Sequence, residues 1–140
     1  MSSPPRAGDV LPDLAIEMTP TRVVAGAIAT RDFMPVHHDH TYAASQGSPE
    51  IFLNIISTNA LCSRFVTDWA GPEAMLRGLS IRLGLPAYAG STITFTGMVT
   101  GVKQQGDEHV IDIDLRAATD LGDHATGTAT VTLPTNSQLA

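Results

Sequence analysis

Ionisable side chains are concentrated in residues 31–40, which read Arg-Asp-Phe-Met-Pro-Val-His-His-Asp-His. Six of these ten residues can ionise, whereas charged residues make up 16% of the whole chain. Asp32 and His37 lie on either side of Pro35, whose ring restricts the backbone. A carboxylate and an imidazole held near each other are suited to acid–base chemistry on a small molecule. We therefore interpret the segment as an active-site loop.

Addition of water across a conjugated double bond is one reaction that this pair can perform. The attacking water must lose a proton and the adjacent carbon must gain one. Asp32 and His37, with reference pKa values of about 3.9 and 6.5, can share those transfers when burial brings the values closer to neutrality. They converge if a helix stops at Asp32 and Pro35 turns the chain. The alternative is that Asp32 caps a helix and His37 is an ordinary loop residue.

A metal site is the rival interpretation of residues 37–40, His-His-Asp-His. Imidazoles and a carboxylate are suitable ligands, but four consecutive residues cannot easily all turn towards one ion. His109 and His124 are expected in separate turn regions, so they offer no second cluster of ligands. We therefore predict no metal, and expect residues 38–40 to be solvated or to cap a helix.

The composition indicates one globular domain that does not bind nucleic acid. The 140 residues suffice for one core, 43% of them are apolar, and the formal net charge is −6. The single cysteine, Cys62, excludes a disulfide framework within the chain. We expect the domain to cover residues 10–134, between flexible termini at residues 1–9 and 135–140.

The start of the chain lacks the apolar core of a signal peptide, and no apolar run is long enough to cross a bilayer. We therefore expect a cytoplasmic protein without membrane association.

The first third of the chain predicts short elements. Residues 21–26 are β-branched enough for a strand, with a helix starting near Pro20 as the alternative. Residues 27–33 predict a short helix that ends before Pro35. Another short helix is expected to start at residue 39 or 40 and to end at Gly47.

Ser48, Pro49 and Glu50 form a strong helix start, with a cap, a proline at the first position and an acid in the first turn. The following residues, up to Trp69, are apolar around most of the helix circumference, which is typical of a buried helix. Gly71 and Pro72 end it. We expect its small polar residues to bond to nearby backbone, with lining of an acyl pocket as the alternative: Asn54, Ser57, Thr58 and Asn59.

The remainder of the chain predicts antiparallel strands, because apolar and polar residues alternate with period two. One long apolar helix followed by four amphipathic strands leads to an α+β fold, in which a curled antiparallel sheet wraps a long central helix. The strands are expected at residues 79–85, 92–96, 111–117 and 125–133, with hairpin turns at 104–107 and 121–123 and a longer link at 86–90.

The segment from Asp32 to His37 resembles the Asp-x-Asn-Pro-x-His signature of MaoC-like enoyl-CoA hydratases, which have the hotdog fold. Pro86 and Gly90 resemble the Pro-x-x-x-Gly-Asp link of that family. More narrowly, four segments are similar to the small subunit of the heteromeric steroid enoyl-CoA hydratases of actinobacteria: residues 29–33, 36–39, 66–72 and 121–124.

The resemblance implies that Asp32 and His37 are the acid–base pair of an (R)-specific hydration of a trans-2-enoyl-CoA. It also implies that a backbone N–H near the start of the long helix holds the thioester oxygen. Such amides point outward with partial positive charge. Asn54 and Ile55 stand where the family usually has His-Gly, so Ile55 would supply this N–H and Asn54 would line the substrate site.

Two further departures concern the loop and the link. Met34 replaces the asparagine of the signature, so another group must hold the loop, and Ser91 replaces the aspartate that follows Gly90. The residues that bind coenzyme A are not identified by the sequence, because surface solvation explains Arg64, Arg77 and Arg82 equally well.

We therefore expect a hydratase subunit that acts on a bulky, steroid-type CoA thioester and needs no cofactor of its own. The resemblance implies a larger MaoC-like partner subunit, with two copies of each as one arrangement. Two alternatives are a non-catalytic hotdog subunit that completes the active site of a partner, and a hotdog thioesterase.

Overall fold

The computed structural model describes residues 4–137, which form three α-helices and one five-stranded antiparallel sheet. The sheet has the order β1-β3-β4-β5-β2. In chain order the elements are β1 (Leu14–Glu17), α1 (Pro20–Ala29), a 3-10 turn (Pro35–His37), α2 (His40–Ser45), α3 (Ile55–Ala70), β2 (Met75–Leu83), β3 (Thr92–Gln105), β4 (Glu108–Thr119) and β5 (Gly122–Pro134).

The hydrophobic core lies between α3 and one face of the sheet. Cys62, Phe65 and Val66 of α3 are buried, and the ring of Phe65 stacks on Phe95 of β3 with centroids 6.0 Å apart. Burial raises the pKa of the Cys62 thiol to about 11, so this thiol stays protonated and unreactive. The predicted architecture, a long helix against a curled antiparallel sheet, is confirmed.

The predicted strand patterning is also confirmed, most clearly in β4. Ile111, Ile113, Leu115 and Ala117 are buried while the residues between them are exposed. The pairing register shifts near Gly78, Gly101 and Ala118, and such irregularities bend strands and increase their twist. They allow the sheet to curl over α3. β2 starts at Met75, before the predicted residue 79, and it ends at Leu83.

The strand predicted at residues 21–26 is wrong, and the helix starting near Pro20 is right. Thr19 caps α1 by accepting a hydrogen bond from the Arg22 N–H at 3.1 Å, and Pro20 occupies the first turn. These start signals outweigh the β-branched composition because tertiary packing buries Val23 and Ala27 on one face. The helix predicted at residues 27–33 is wrong as a separate element, since α1 runs through to Ala29.

The predicted start of the long helix is also wrong. α3 begins at Ile55 instead of residue 49, because residues 51–53 pair with the link before β3. The Leu53 N–H donates to the Ala87 carbonyl at 2.9 Å, and the Ala89 N–H donates to the Ile51 carbonyl at 2.9 Å. The first turn of α3 is not fully buried, since Ile55 is 50% exposed.

The described terminal residues are attached to the sheet. Gly8 and Asp9, which we assigned to a flexible terminus, are bonded to Val99 of β3 through the Gly8 N–H and the Asp9 carbonyl, both at 2.8 Å. The Thr135 N–H donates to the Asp107 carbonyl at 2.9 Å. Residues 1–3 and 138–140 lie outside the described residues. Across residues 4–137, no helix is both long enough and apolar enough to cross a membrane.

The close approach of β5 and β2 at Gly127 generates a stability prediction. A Cβ at this position would meet the Ser80 carbonyl oxygen and would lie 2.9 Å from Ile81 Cα, so the strands must separate to accept it. Gly127→Ala should lower the free energy of unfolding by about 1–3 kcal/mol. Urea unfolding followed by circular dichroism measures the change.

Gly101→Ala is the matched control, since a Cβ there would meet nothing closer than 3.8 Å, at a carboxylate oxygen of Asp112. Equal stabilities of the two variants would contradict the prediction.

Candidate active site

The loop after α1 brings Asp32 and His37 together. Arg31 adopts a left-handed conformation with φ of 56°, which turns the chain, and the Asp32 N–H donates to the Ala27 carbonyl at 2.9 Å. Pro35 then starts the 3-10 turn that ends at His37. His37 Nε2 lies 3.4 Å from Asp32 Oδ2. The convergence of the two side chains is as expected, although the helix stops at Ala29 instead of Asp32.

His37 is held in one orientation by its other ring nitrogen. Its Nδ1 lies 2.7 Å from the Phe52 carbonyl oxygen, which can only accept a hydrogen bond, so Nδ1 carries the proton. The Phe52 ring packs edge-on against the imidazole with centroids 4.9 Å apart. In neutral His37, Nε2 is therefore an acceptor that faces the Asp32 carboxylate.

Asp32 is held by groups that favour its ionised form. Asn54 Nδ2 donates to Oδ2 at 3.1 Å, and the Met34 N–H donates to Oδ1 at 3.3 Å. Desolvation acts to raise the pKa of Asp32, but these donors, together with the nearby His37 and His38, lower it overall. Asn54 and the Met34 backbone thus hold the loop in which Met34 replaces the asparagine of the signature.

The first turn of α3 adjoins this pair. Asn54 is the N-cap residue and Ile55 is the first residue of the helix, where backbone N–H groups lack helical partners and carry partial positive charge. Both residues line a cavity of about 260 Å³ that is also bordered by His37, Leu85 and His124. The structure therefore places the predicted site residues Asp32, His37, Asn54 and Ile55 together.

A second cavity, of about 300 Å³, lies between α1 and α3 on the other side of Leu53. Its lining is mainly apolar and includes Met18, Gly26 and Leu61. Ser57 also lines it, and its hydroxyl is buried without a hydrogen-bond partner among the described residues. This space could receive an apolar group.

His124 is a buried residue of the site that the sequence analysis missed. We expected it in a turn, but it lies in β5 and is 3% exposed. Its Nδ1 donates to the Leu85 carbonyl at 2.8 Å, and its Nε2 lies 2.9 Å from the Thr58 hydroxyl of α3. No period-two pattern marks His124, because the register shift near Ala118 places it and its neighbour Ala125 both in buried positions.

The remaining residues of the histidine cluster have separate roles. Asp39 caps α2 through the Tyr42 N–H at 3.0 Å, as expected. His38 is not simply solvated, since its Nε2 donates to the main-chain oxygen of Asp32 at 2.7 Å. His40 pairs with Glu50 on the surface at 2.9 Å. Within residues 4–137 no three His, Cys, Asp or Glu side chains are grouped to hold a metal ion, and the lack of a metal requirement stays a prediction.

His109 was also expected in a turn region, and that is wrong, because it lies in β4 and pairs with Leu133. The prediction for the small polar residues of the long helix is right for Thr58 and Asn59, whose side chains bond to backbone carbonyls one turn earlier, both at 3.2 Å. It is wrong for Asn54, whose side chain reaches the loop after α1, and for Ser57, whose hydroxyl has no partner among the described residues.

Comparison with known proteins shows the family of the chain. The family model described as "MaoC like domain" matches residues 5–120. The chain belongs to the MaoC-like domain family. The family and the hotdog fold implied by the sequence resemblance are therefore confirmed.

Relatives within the MaoC-like family include proteins of known structure. The chain is 44% identical over 126 residues to the 3-oxo-4,17-pregnadiene-20-carboxyl-CoA hydratase beta subunit of Mycobacterium tuberculosis, covering 90% of this chain and 95% of that protein. It is also similar to a chain of the ChsH1–ChsH2 complex of M. tuberculosis, with 44% identity, a TM-score of 0.85 and coverage of 91% and 97%. The (R)-hydratase of A. caviae involved in PHA biosynthesis is 25% identical, with a TM-score of 0.82 and coverage of 91% and 96%.

The burial of His124 generates a prediction of pH-dependent stability. Burial lowers the pKa of His124 below its ordinary 6.5, although the bond to Leu85 opposes this. The unfolded chain therefore binds a proton that the native chain does not. The free energy of unfolding should fall as the pH drops below 6.5, by at most about 1.4 kcal/mol per pH unit. His124→Asn, whose amide can still donate to Leu85, should flatten this dependence.

Urea unfolding of both proteins at several pH values between about 5 and 7.5 tests this, with His109→Asn as the control for loss of a histidine. The lowered pKa of Asp32 acts in the same sense but at lower pH: it adds stability above the ordinary value of 3.8, which is lost as the pH falls through its native pKa. That window lies below the range measured. An identical slope in wild type and His124→Asn would contradict the prediction.

Proposed function

We propose that this chain is the catalytic subunit of an enoyl-CoA hydratase that adds water to a steroid side-chain CoA thioester. The observation that carries the proposal is the 3.4 Å separation of Asp32 Oδ2 and His37 Nε2 beside the first turn of α3. The name of the M. tuberculosis relative, a hydratase beta subunit for a pregnadiene carboxyl-CoA, supports the reaction and the substrate class.

Asp32 and neutral His37 are both hydrogen-bond acceptors, so a single water can donate one proton to each. The water oxygen bonds to the β carbon of the enoyl thioester while the pair takes one proton from it. The electrons of the double bond move onto the thioester oxygen and give an enolate. The pair then returns one proton to the α carbon as the carbonyl re-forms. This completes the addition of water, and no cofactor is needed.

The enolate oxygen needs donors that are in place before the charge develops. The Ile55 N–H at the start of α3 is such a donor, and the helix dipole adds to its attraction for negative charge. Asn54, which contacts Asp32, directly precedes Ile55. The same turn of backbone therefore holds both the acid–base pair and the N–H group that would bind the enolate oxygen. This is the role that we assign to Ile55.

The stereochemistry follows from the position of the pair. Asp32 and His37 both act from one face of the double bond, so hydroxyl and proton are added to the same face. The likeness to the A. caviae (R)-hydratase supports the (R) product. No redox group takes part in this reaction, and the absence of a cofactor therefore stays part of the proposal.

We also propose that the chain works with a larger MaoC-like subunit. Five large apolar side chains on the first turn of α3, on the edge strand β2 and just after it are between 42% and 55% exposed: Ile55, Ile56, Met75, Leu83 and Leu85. β2 is a long strand at one edge of the sheet, and open edges favour pairing with another chain. The similar M. tuberculosis chain occurs in a ChsH1–ChsH2 complex, which supports a different chain as the neighbour.

The acid–base pair generates a prediction about chemistry. Asp32→Asn and His37→Gln should each lower the rate of hydration by about 10²- to 10⁴-fold, because each removes a proton-transfer group while keeping the side-chain size. The assay is the loss of enoyl-thioester absorbance with a steroid enoyl-CoA. Both variants must show the circular dichroism spectrum of the wild type.

His40→Gln is the matched control, since His40 belongs to the same segment but contacts Glu50 on the surface. Near-normal hydration by a folded Asp32→Asn variant would contradict the assignment of Asp32 to the acid–base pair. Release of free coenzyme A instead of hydration would favour a thioesterase, and hydration by the complex that survives both substitutions would favour a non-catalytic subunit.

The exposed edge generates a prediction about assembly. Expressed together with a candidate MaoC-like partner, the chain should form a hetero-oligomer, with two copies of each as the expected mass in light scattering. Hydration of the steroid enoyl-CoA should require both chains. A stable homodimer that hydrates equally fast without the partner would rule out the hetero-oligomer but would leave the hydratase assignment standing.

A further inference from the structure

Asn54 is an N-cap residue whose side chain does not cap its helix. In α1 and α2 the caps Thr19 and Asp39 accept hydrogen bonds from the N–H groups of Arg22 and Tyr42, at 3.1 and 3.0 Å. Asn54 has the residue type preferred for the same task, yet its side chain accepts no N–H of the first turn of α3 in the described part of the chain. It is 1% exposed.

The amide of Asn54 is directed to the active-site loop. Nδ2 donates to Thr30 Oγ1 at 2.8 Å and to Asp32 Oδ2 at 3.1 Å. The Thr30 hydroxyl donates to the Gly26 carbonyl at 2.8 Å, so it accepts from Asn54. Both amide protons are therefore used, which fixes the orientation of the amide. Its Oδ1 is buried and has no partner among residues 4–137.

We infer that Asn54 is a positioning residue for the hydration reaction, which holds the Asp32 carboxylate in its reactive orientation. The inference rests on the proposed function. The amide is directed to Asp32 and not to the N–H groups of Ile56 and Ser57, which an N-cap side chain would bind.

The electrostatic surroundings of Asp32 agree with this role. The groups that face its carboxylate are the Asn54 amide from α3, the Met34 N–H from the loop and the His37 ring from the 3-10 turn. His38 adds a further titratable group beside the main chain of Asp32. Among the side chains that contact the carboxylate, Asn54 is a donor at every pH, since an amide does not titrate. It therefore keeps Asp32 ionised independently of the two histidines.

Asn54→Ser and Asn54→Leu test the inference in the complex of this chain with its MaoC-like partner. Serine can cap α3 through the Ile56 or Ser57 N–H, which preserves the fold, but it cannot reach Asp32. Leucine keeps the volume and removes the donor. We expect kcat/KM to fall about 10- to 100-fold in both variants, because a small displacement of a reacting group has this cost. The acid limb of the pH profile should move to higher pH.

A readout that does not depend on turnover separates this inference from the proposed function. The Asp32 carboxyl, assigned by ¹³C NMR against Asp32→Asn, should titrate at higher pH in unliganded Asn54→Ser than in wild type. If the wild-type complex does not hydrate, the proposed function fails, and this titration still decides whether Asn54 controls Asp32.

The matched control is Asn59→Ser, which removes an amide from the same helix that bonds only to the Ile55 carbonyl, at 3.2 Å. Its pH profile and the titration of Asp32 should equal those of wild type. A purely structural role of Asn54 would lower activity by the same factor at every pH. Such a uniform loss in Asn54→Ser, or an unchanged titration of Asp32, would overturn the inference.

Discussion

The pairing of residues 51–53 with the link before β3 is the constraint on which the rest of the site depends. The two backbone bonds between this segment and Ala87 and Ala89 hold the chain extended until Asn54, so α3 cannot start earlier. In an extended segment successive carbonyls point to opposite sides. The Phe52 carbonyl therefore faces His37 and fixes its tautomer, while Leu53 and Ile51 bond to the link. The same pairing brings Asn54 within reach of Asp32.

The site combines a carboxylate whose surroundings favour its ionised form with an imidazole whose Nδ1 donates to the Phe52 carbonyl. The start of α3 adds a partial positive charge that stabilises negative groups, whether the Asp32 carboxylate or the enolate of the proposed reaction. Each group is held by a contact to a different element. Asp32 is held by α3, His37 by the residues before α3, and His38 by the loop itself. Because Phe52 and Asn54 belong to one short segment, movement of this segment would disturb the orientation of both Asp32 and His37.

This arrangement leaves buried polar atoms unpaired close to the site. Asn54 Oδ1 and Ser57 Oγ have no partner in the part of the chain that the structure describes, and such atoms destabilise a folded protein by about 1–3 kcal/mol each. Behind them, His124 and Thr58 form a fully buried polar contact between β5 and α3. The unpaired atoms thus lie beside the candidate site, whereas the cluster that forms the core between α3 and the sheet is apolar.

The amino-acid sequence by itself determined four of the five strands, the residues of the proposed acid–base pair and the proline corner between them. Alternating burial and a proline corner are local properties, since each is set by residues within a few positions of one another. Tertiary structure alone decided where α3 begins, where His124 lies and what Asn54 contacts. The Asn54–Asp32 bond joins residues 22 apart, and the Thr58–His124 bond joins residues 66 apart. No local pattern encodes such contacts, because they form only when packing brings distant segments of the chain together.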